Sequence, residues 1–210
     1  MTRRDFWRTL ILTSAVCLLP LAAGLLLWGM LPESVPVHWN TAGEPDGYAS
    51  RAFAVFVLPV IFLAINLFTH ACVQLDPNAQ KASRVILAIA HWTSPVMALL
   101  CMGIAYAWAL GTELAVERIV PAGVGVLIAF IGNYLPKCRP NRTIGIRVPW
   151  TLASDENWMR THRFGGWLYL ATGILVAVGG LCGFVAILFV ALPLFFVPVV
   201  YSYVLHRQGI

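Results

Sequence analysis

The sequence predicts an all-α integral membrane protein with six transmembrane helices. Of its 210 residues, 60% are hydrophobic and only 11% are charged, whereas soluble domains carry about 25% charged residues. The hydrophobic residues form runs of about 20 residues, which is the length that an α-helix needs to cross a bilayer. We therefore expect one membrane domain over residues 1–210 and no separate soluble domain.

Four apolar runs each predict one span, at residues 10–31, 52–72, 85–110 and 119–135. The last run, residues 167–205, is about twice as long as one crossing and must fold back on itself. Three glycines favour the turn between spans five and six, and two prolines should distort the sixth helix. These residues are Gly179, Gly180, Gly183, Pro193 and Pro198.

The positive charges predict the orientation of the chain. Cytoplasmic loops carry an excess of Lys and Arg. A cytoplasmic amino terminus leaves only Arg51 and Arg118, of the 14 Lys and Arg residues, on the outer side. We therefore expect both termini and the loop at residues 136–166 to be cytoplasmic, and the loop at residues 32–51 to be outside. This arrangement suggests an N-terminal two-helix unit at residues 10–72 and a C-terminal half at residues 119–205.

The outer loop, residues 32–51, has two possible interpretations. His38 and Asp46 could contact a metal or another ligand, although a metal would need at least one of the neighbouring glutamates as well. Alternatively the loop is a rigid cap, in which Asp46 and Gly47 form a tight turn and Trp39 anchors at the membrane interface. The residues leave both interpretations open.

A short interfacial helix is expected in the fourth loop. Ser154, followed by two acidic residues, is typical of a helix N-cap. The helix would end at Gly165 and Gly166. Trp158 and His162 would share one face of it, because they are four residues apart.

Arg147 in the same loop has three possible roles. It could pair with Asp155 or Glu156, bind a lipid phosphate, or contact a protein partner. Arginines next to spans bind anionic headgroups readily. The three alternatives stay open at this point.

Polar side chains inside the apolar runs raise the possibility of a transport pathway. Asn66, His70 and His91 lie within or near the second and third spans. Intramembrane polar groups often mark ion or proton paths, but a single amide is more often a hydrogen bond between helices.

The chain lacks the sequence signals of an enzyme or a metalloprotein. It has no HExxH, GxSxG or phosphate-binding loop, and its five cysteines are scattered with no CxxC pair. We expect no catalytic residues, no metal and no cofactor. The positive residues sort by membrane side, so we also expect no direct nucleic-acid binding.

Two segments resemble a known family. The segment LPESVPVHWNTAGEPDGYASR resembles the outer-loop motif of a small domain of unknown function that precedes SdpI-like sequences. The segment GNYLPKCRPNRTIGIRVPWTLASDENWMRTHRFGGW is similar to the signature of the SdpI family itself. The matching residues of the first motif are His38, Trp39, Asn40, Gly43, Asp46 and Gly47. Those of the second are Asn133, Pro136, Lys137, Asn141, Gly145, Arg147, Pro149, Trp150, Thr151, Trp158, His162 and Gly166.

The resemblance implies a bacterial plasma-membrane protein that confers immunity to a peptide toxin. It implies that the first motif faces the toxin outside, and that the second motif holds a helix-turn-helix repressor protein at the cytoplasmic face. Besides the lipid bilayer, these are the partners to expect, and the oligomeric state is open. The alternative is a small-solute or ion transporter or channel, with Asn66 and His91 along its path.

Overall fold

The computed structural model describes residues 3–210 and has the six-span architecture that the apolar runs predict. Residues 1 and 2 of the expected membrane domain lie outside the described residues. Within residues 3–210, six helical segments are long and apolar enough to cross a membrane. They are Arg3–Leu26, Phe53–Leu75, Arg84–Ala109, Val116–Lys137, Asp155–Leu181 and Ile187–Arg207.

Residues 3–210 contain eight α-helices, of which seven lie in the six spans and one short helix lies in a loop, while another loop forms a small sheet. The helices are α1 (Arg3–Leu26), α2 (Leu58–Leu75), α3 (Arg84–Ala109), α4 (Val116–Tyr134), α5 (Pro149–Ala153), α6 (Asp155–Leu181), α7 (Ile187–Leu194) and α8 (Val197–Arg207). The strands are β1 (Ser34–Trp39) and β2 (Pro45–Ser50). A π-helical turn at Phe53–Val57 leads into α2, and 3-10 turns occupy Ala79–Lys81 and Leu135–Lys137.

The chain divides into two compact units. The first contains Met1–Cys72 and Ala88–Val116, and the second contains Val73–Leu87 and Glu117–Ile210. The first unit therefore holds the sheet and most of α1, α2 and α3. The second holds α4 to α8 and the long loop that connects α4 to α6.

The first loop is an antiparallel β-hairpin, which the sequence does not predict. Ser34 pairs with Ser50, and Trp39 pairs with Pro45, with irregular register between them. Val35 of β1 is fully buried against Ala54 and Ala105. The hairpin is thus packed onto the helices of the first unit.

The hairpin turns at Asn40–Gly43, so the expected turn at Asp46 and Gly47 is wrong. Asn40 Oδ1 accepts the backbone N–H of Ala42 at 2.9 Å and that of Glu44 at 3.0 Å. Gly43 has a φ of +80°. An Asn side chain that closes onto the backbone two residues later favours a turn at this position.

Gly47 lies inside β2, where its lack of a side chain allows a close contact between the two strands. A Cβ at Gly47 would lie 2.8 Å from the Cβ of His38 on the facing strand. Only glycine therefore lets the two strands approach each other where the register shifts. Asp46, its neighbour, is placed to reach His38.

The expected short helix after Ser154 is part of the fifth span. Ser154 does cap it, because its Oγ accepts the backbone N–H of Asn157 at 3.2 Å. However, α6 continues without interruption to Leu181. Gly165 and Gly166 lie inside the helix and do not end it. Gly166 instead allows close packing against Pro136, where a larger residue would not fit. The short helix of this loop is α5 instead.

Small residues let α4 and α6 pack backbone to backbone. A Cβ at Gly132 would meet the backbone of Leu170 and Tyr169, and a Cβ at Gly173 would meet the backbone of Ala129. Close contact through small residues is a common way for membrane helices to associate, since apolar side chains gain little from leaving lipid.

The turn after the fifth span uses only one of the three glycines expected there. Gly183 follows α6 and has a φ of +80°. Gly179 and Gly180 are still inside α6, where Gly180 packs against Pro121 and Ala122. The sixth span is interrupted between α7 and α8, just before Pro198, as the prolines predict.

Candidate functional site

The hairpin presents a paired histidine and aspartate to solvent. His38 Nδ1 lies 2.5 Å from Asp46 Oδ1, and 72% of the His38 side chain and 44% of the Asp46 side chain are exposed. Each group therefore satisfies the other rather than converging on a third atom. Among residues 3–210, no group of three or more His, Cys, Asp or Glu residues could hold a metal ion.

The exposed surface of the hairpin is acidic. Glu33, Glu44 and Asp46 are exposed. Arg51 is directed elsewhere, because its Nη1 donates to the carbonyls of Trp28 at 2.7 Å and Leu31 at 3.0 Å. The guanidinium thus satisfies carbonyls in the turn that follows α1, where a positive charge is favourable.

The other hairpin motif residues have structural positions. Trp39 is half-buried, with its ring in edge contact with that of Trp108 at 6.4 Å. Asn40 and Gly43 form the turn, and Gly47 permits the close strand contact. Of the six motif residues, the three with exposed polar side chains are His38, Asn40 and Asp46.

Asn141 organises the loop between α4 and α5, which we call the signature loop (residues 138–148). Its side chain is 4% exposed. Its Oδ1 accepts the N–H of Thr143 and Ile144 at 2.9 and 2.6 Å, and its Nδ2 donates to the carbonyls of Arg139 and Ile144 at 2.8 and 3.0 Å. One buried amide therefore satisfies four backbone groups that would otherwise be costly to bury.

His162 and Trp158 of α6 pack against the buried side of this loop. His162 Nδ1 donates to the Trp158 carbonyl at 2.8 Å, and its Nε2 accepts the Ile146 N–H at 3.0 Å. Trp158 Nε1 donates to the Cys138 carbonyl at 2.8 Å, and the two rings stack at 3.9 Å. Gly145, with a φ of +117°, has no room for a Cβ beside His162.

Both nitrogens of His162 are thus engaged with the backbone. Because one nitrogen donates and the other accepts, the neutral ring with its proton on Nδ1 fits this position. His162 of α6 consequently supports the signature loop structurally, and it offers no free nitrogen to a substrate.

The remaining signature residues mostly fix α5 and the neighbouring turns. Thr151 accepts the Val148 N–H at 3.1 Å, and Trp150 Nε1 donates to Ser202 Oγ at 2.7 Å. Lys137 Nζ lies 4.3 Å from the centre of the Tyr134 ring. Pro149 begins α5, Pro136 contacts Gly166, and Asn133 is exposed.

Asp76 belongs to this site, although neither family motif includes it. Its Oδ2 accepts the Arg142 N–H at 2.7 Å and the Thr143 hydroxyl at 3.0 Å, and its Oδ1 accepts the Asn78 N–H at 3.0 Å. Burial alone would raise the pKa of this carboxyl group, but the hydrogen bonds outweigh burial and hold the pKa below its ordinary value.

The carboxyl terminus reaches the same end of the second unit. Asn157 Nδ2 donates to the carbonyl of Ser202 at 2.9 Å and to that of Ile210 at 3.1 Å. The same end of the second unit therefore holds residues 76–79, the signature loop and the carboxyl terminus. This agrees with the six spans, because an even number of spans separates each of these segments from the next. That this end is cytoplasmic stays a prediction.

Arginine side chains are the exposed charged groups of the signature loop. Arg139, Arg142 and Arg147 are exposed. Arg147 Nη1 donates to the Arg142 carbonyl at 2.6 Å. Glu156, one of its expected partners, instead contacts Arg160 at 2.5 Å. The loop therefore exposes positive charge, while side chains of α6 hydrogen-bond its backbone on the buried side.

Asn66, His70 and His91 form one buried cluster in the first unit. His70 Nε2 lies 3.1 Å from Thr13 Oγ1, and Asn66 Nδ2 donates to that same hydroxyl at 3.2 Å. The His70 and His91 rings stack at 3.9 Å. The sequence suggested each residue separately, but only the fold brings α1, α2 and α3 together around Thr13.

The fold and these sites define a multi-pass α-helical membrane protein with two structured polar loops. The model of the SdpI/YfhL protein family matches residues 137–202, and that of a domain of unknown function, DUF1648, matches residues 15–63. The chain is 24% identical to the immunity protein SdpI of Bacillus subtilis (strain 168) over 168 residues, which are 80% of this chain and 79% of the relative. No solved structure matches the chain.

The chain resembles the SdpI/YfhL protein family in residues 137–202 and the domain of unknown function in residues 15–63, as its two loop motifs predict. It is a multi-pass protein of the bacterial plasma membrane.

Proposed function

We propose that this protein protects its cell against an antimicrobial peptide toxin through the hairpin and signals to a cytoplasmic repressor through the signature loop. The relationship to the immunity protein SdpI supports the proposal, since it extends over 80% of the chain. The matched segments, residues 15–63 and 137–202, each contain one of the two structured polar loops.

The surface of the hairpin favours a cationic, amphipathic peptide as its ligand. Three exposed carboxylates lie on or beside it, while the nearby Arg51 donates to carbonyls of the turn that follows α1. Pro36 and Pro45 and the irregular strand pairing leave no regular edge onto which a peptide could add as a strand. Recognition would therefore use exposed side chains, chiefly those of His38, Asn40 and Asp46.

Membrane potential in a toxin-sensitive bacterium tests this part of the proposal. Cells that express the protein should keep their potential when a sporulation-delaying type of peptide is added, and cells without it should lose theirs. His38→Ala and Asp46→Ala should each weaken protection several-fold, because an interfacial charge or hydrogen bond contributes about 1–2 kcal/mol. Thr41→Ala, at an exposed position in the turn, is the matched control.

Equal collapse with and without the protein, at verified expression, would contradict the immunity role. Full protection by His38→Ala and Asp46→Ala would keep immunity but exclude the hairpin as the contact surface.

The signature loop is suited to bind an acidic protein surface. Its exposed arginines are separated from the buried residues that hold the loop. A helix-turn-helix repressor would be captured through such a surface without any nucleic acid at the membrane. The double variant Arg139→Ala/Arg142→Ala should release the repressor from isolated membranes while toxin protection and folding persist.

Arg160→Ala is the control for that experiment, because the Arg160 side chain is already paired with Glu156. Repressor capture that is unchanged in the double variant would exclude the loop surface. Trp158→Ala is less informative, because it removes a fully buried ring and should affect folding.

A small-solute or ion transporter is the second candidate, and the cluster around Thr13 is the observation that favours it. Polar groups deep in a membrane bundle are costly and are often retained for transport. Flux into liposomes that is lost in Asn66→Ala would support this function. No flux for any tested ion or small solute would contradict it.

We propose no catalytic function. The one histidine of the signature motif, His162, has both ring nitrogens engaged with the backbone. Overexpression should therefore leave the lipid composition of the cell unchanged.

A further inference from the structure

The cluster around Thr13 contains buried polar atoms that have no partner among residues 3–210. Asn66 Oδ1, His70 Nδ1 and His91 Nε2 are buried and have no hydrogen-bond partner among residues 3–210. The three side chains are at most 2% exposed. An unsatisfied buried polar group is destabilising, and lipid offers no compensation. Hydrogen bonding within the cluster therefore does not explain why these groups are buried.

The Thr13 hydroxyl determines which atoms of the cluster are acceptors. A hydroxyl has one hydrogen and two lone pairs. Thr13 donates to the Thr9 carbonyl at 2.8 Å and accepts from Asn66 Nδ2. Its second lone pair then accepts the Nε2 hydrogen of His70, 3.1 Å away. His70 is thus the Nε2–H tautomer, and its Nδ1 carries a free lone pair.

Asn66 contributes a second free acceptor. Its Nδ2 donates to the Thr13 hydroxyl and also to Ser14 Oγ at 3.1 Å. Both amide hydrogens are then used, and Oδ1 is left as an acceptor. Two free acceptors one turn apart on α2 call for a ligand that donates hydrogen bonds.

The chemistry of the cluster favours a neutral donor over a cation. The helix α2 contains no Asp, Glu, Lys or Arg, and the only such residue in α3 is Arg84 at its start. The charged residues of α1 end at Arg8, five residues before Thr13. A bound cation would need a carboxylate to compensate its charge, and α2 and α3 supply none.

A metal ion shared by the two histidines is also disfavoured. Their ring planes are within 7° of parallel and their centroids are 3.9 Å apart. Imidazole nitrogens bind a metal in the plane of the ring, so two stacked rings cannot point their lone pairs at one ion.

We propose that Asn66 Oδ1 and His70 Nδ1 form a buried site for a small neutral hydrogen-bond donor, which in the resting protein is water. Water has two hydrogens for the two acceptors, and buried waters usually make two to four hydrogen bonds. The site lies in the spans of the first unit and is independent of both polar loops and of the function proposed for them.

Nuclear magnetic resonance on the full chain in lipid nanodiscs, with 15N-labelled His and Asn, tests the site. His70 should be the Nε2–H tautomer, opposite to His162, which should carry its hydrogen on Nδ1. Magnetisation should pass from water to the His70 ring and the Asn66 amide, but not to His162. His162 is the internal control, because it is equally buried but has both nitrogens engaged.

Two variants test whether the water contacts the acceptor atom of Asn66. Asn66→Leu removes one acceptor and should reduce water transfer to His70 by at least about threefold. Ser14→Ala removes only a partner of the amide hydrogens and should leave the transfer in place. If Asn66→Leu does not fold, the parent protein and Ser14→Ala still decide the question.

Three results would overturn the proposal. They are an Nδ1–H tautomer at His70, no water transfer to either residue while their signals are visible, and a His70 signal that shifts when ammonium replaces sodium. The last result would identify a cation as the ligand.

Discussion

Replacing Asn141 with alanine should open the signature loop without unfolding the rest of the protein. The side chain makes four hydrogen bonds to backbone groups of residues 139, 143 and 144. Each contributes about 1 kcal/mol net, so the variant should lose about 4 kcal/mol of local stability. The loss should be confined to the loop, because all four bonds lie within it.

Cys138 provides a local measurement of that opening. Cys138 is 6% exposed, and burial raises the pKa of its thiol, although the nearby Asn141 amide lowers it in part. The closed loop should therefore react slowly with a maleimide, and modification should follow opening. A loss of about 4 kcal/mol raises the population of the open loop about a thousandfold, since each 1.4 kcal/mol is tenfold.

The assay is maleimide labelling in the membrane, read for each cysteine by peptide mass spectrometry. Cys17 is the internal control, because it is fully buried in the other unit. Arg142→Ala is the matched variant, since its side chain is exposed and its backbone N–H, which Asp76 accepts, remains. It should change Cys138 labelling by less than about threefold, as exposed substitutions usually do.

Two outcomes would refute this reasoning. Cys138 labelling in Asn141→Ala that rises by less than about threefold would show that the amide does not hold the loop closed. A parallel rise at Cys17 would show that the variant unfolds globally rather than opening locally.

Three further predictions follow from packing, charge and capping. Gly173→Ala should lower the thermal unfolding temperature, because overpacking against the Ala129 backbone costs about 1–3 kcal/mol, whereas Gly103→Ala, with no neighbour within 4 Å of its new Cβ, should not. Asp76→Asn should be less stable than the parent above about pH 4, and the gap should close on acidification, because a depressed carboxyl pKa stabilises only while the group is ionised. Ser154→Ala should cost about 1 kcal/mol in thermal unfolding through loss of the α6 cap, and an unchanged unfolding temperature would contradict that role.

The signature motif contains two kinds of residue that the sequence could not separate. Asn141, Gly145, Trp158 and His162 look like an interaction site because polar and aromatic residues are dense there. The structure shows them holding the loop, with their polar atoms turned toward backbone groups. The arginines of the loop are exposed instead, and burial, which separates the two kinds of residue, depends on tertiary contacts.

Glycines have more than one structural role in this chain, and the local sequence pattern predicts the wrong role at several positions. Gly47 and Gly180 were expected in turns, but one allows a close strand contact and the other allows helix packing. Gly43 and Gly183 do have positive φ in turns. The sequence identifies positions that need a small or permissive residue, but the element on the other side of the contact decides the reason.

The sequence by itself determined the six spans, the distorted sixth helix and the N-cap at Ser154. These features depend on hydropathy, segment length and local hydrogen bonding, all of which are readable along the chain. It also carried the family relationship in the two loop motifs.

Only the tertiary structure decided the β-hairpin, the continuity of α6, the contact of Asp76 with the signature loop and the cluster around Thr13. In the last two cases the partners are far apart in sequence. Asp76 is 66 residues from Arg142, and Thr13 is 57 residues from His70. Such contacts depend on how helices pack, and no local pattern of residues encodes which distant groups will meet.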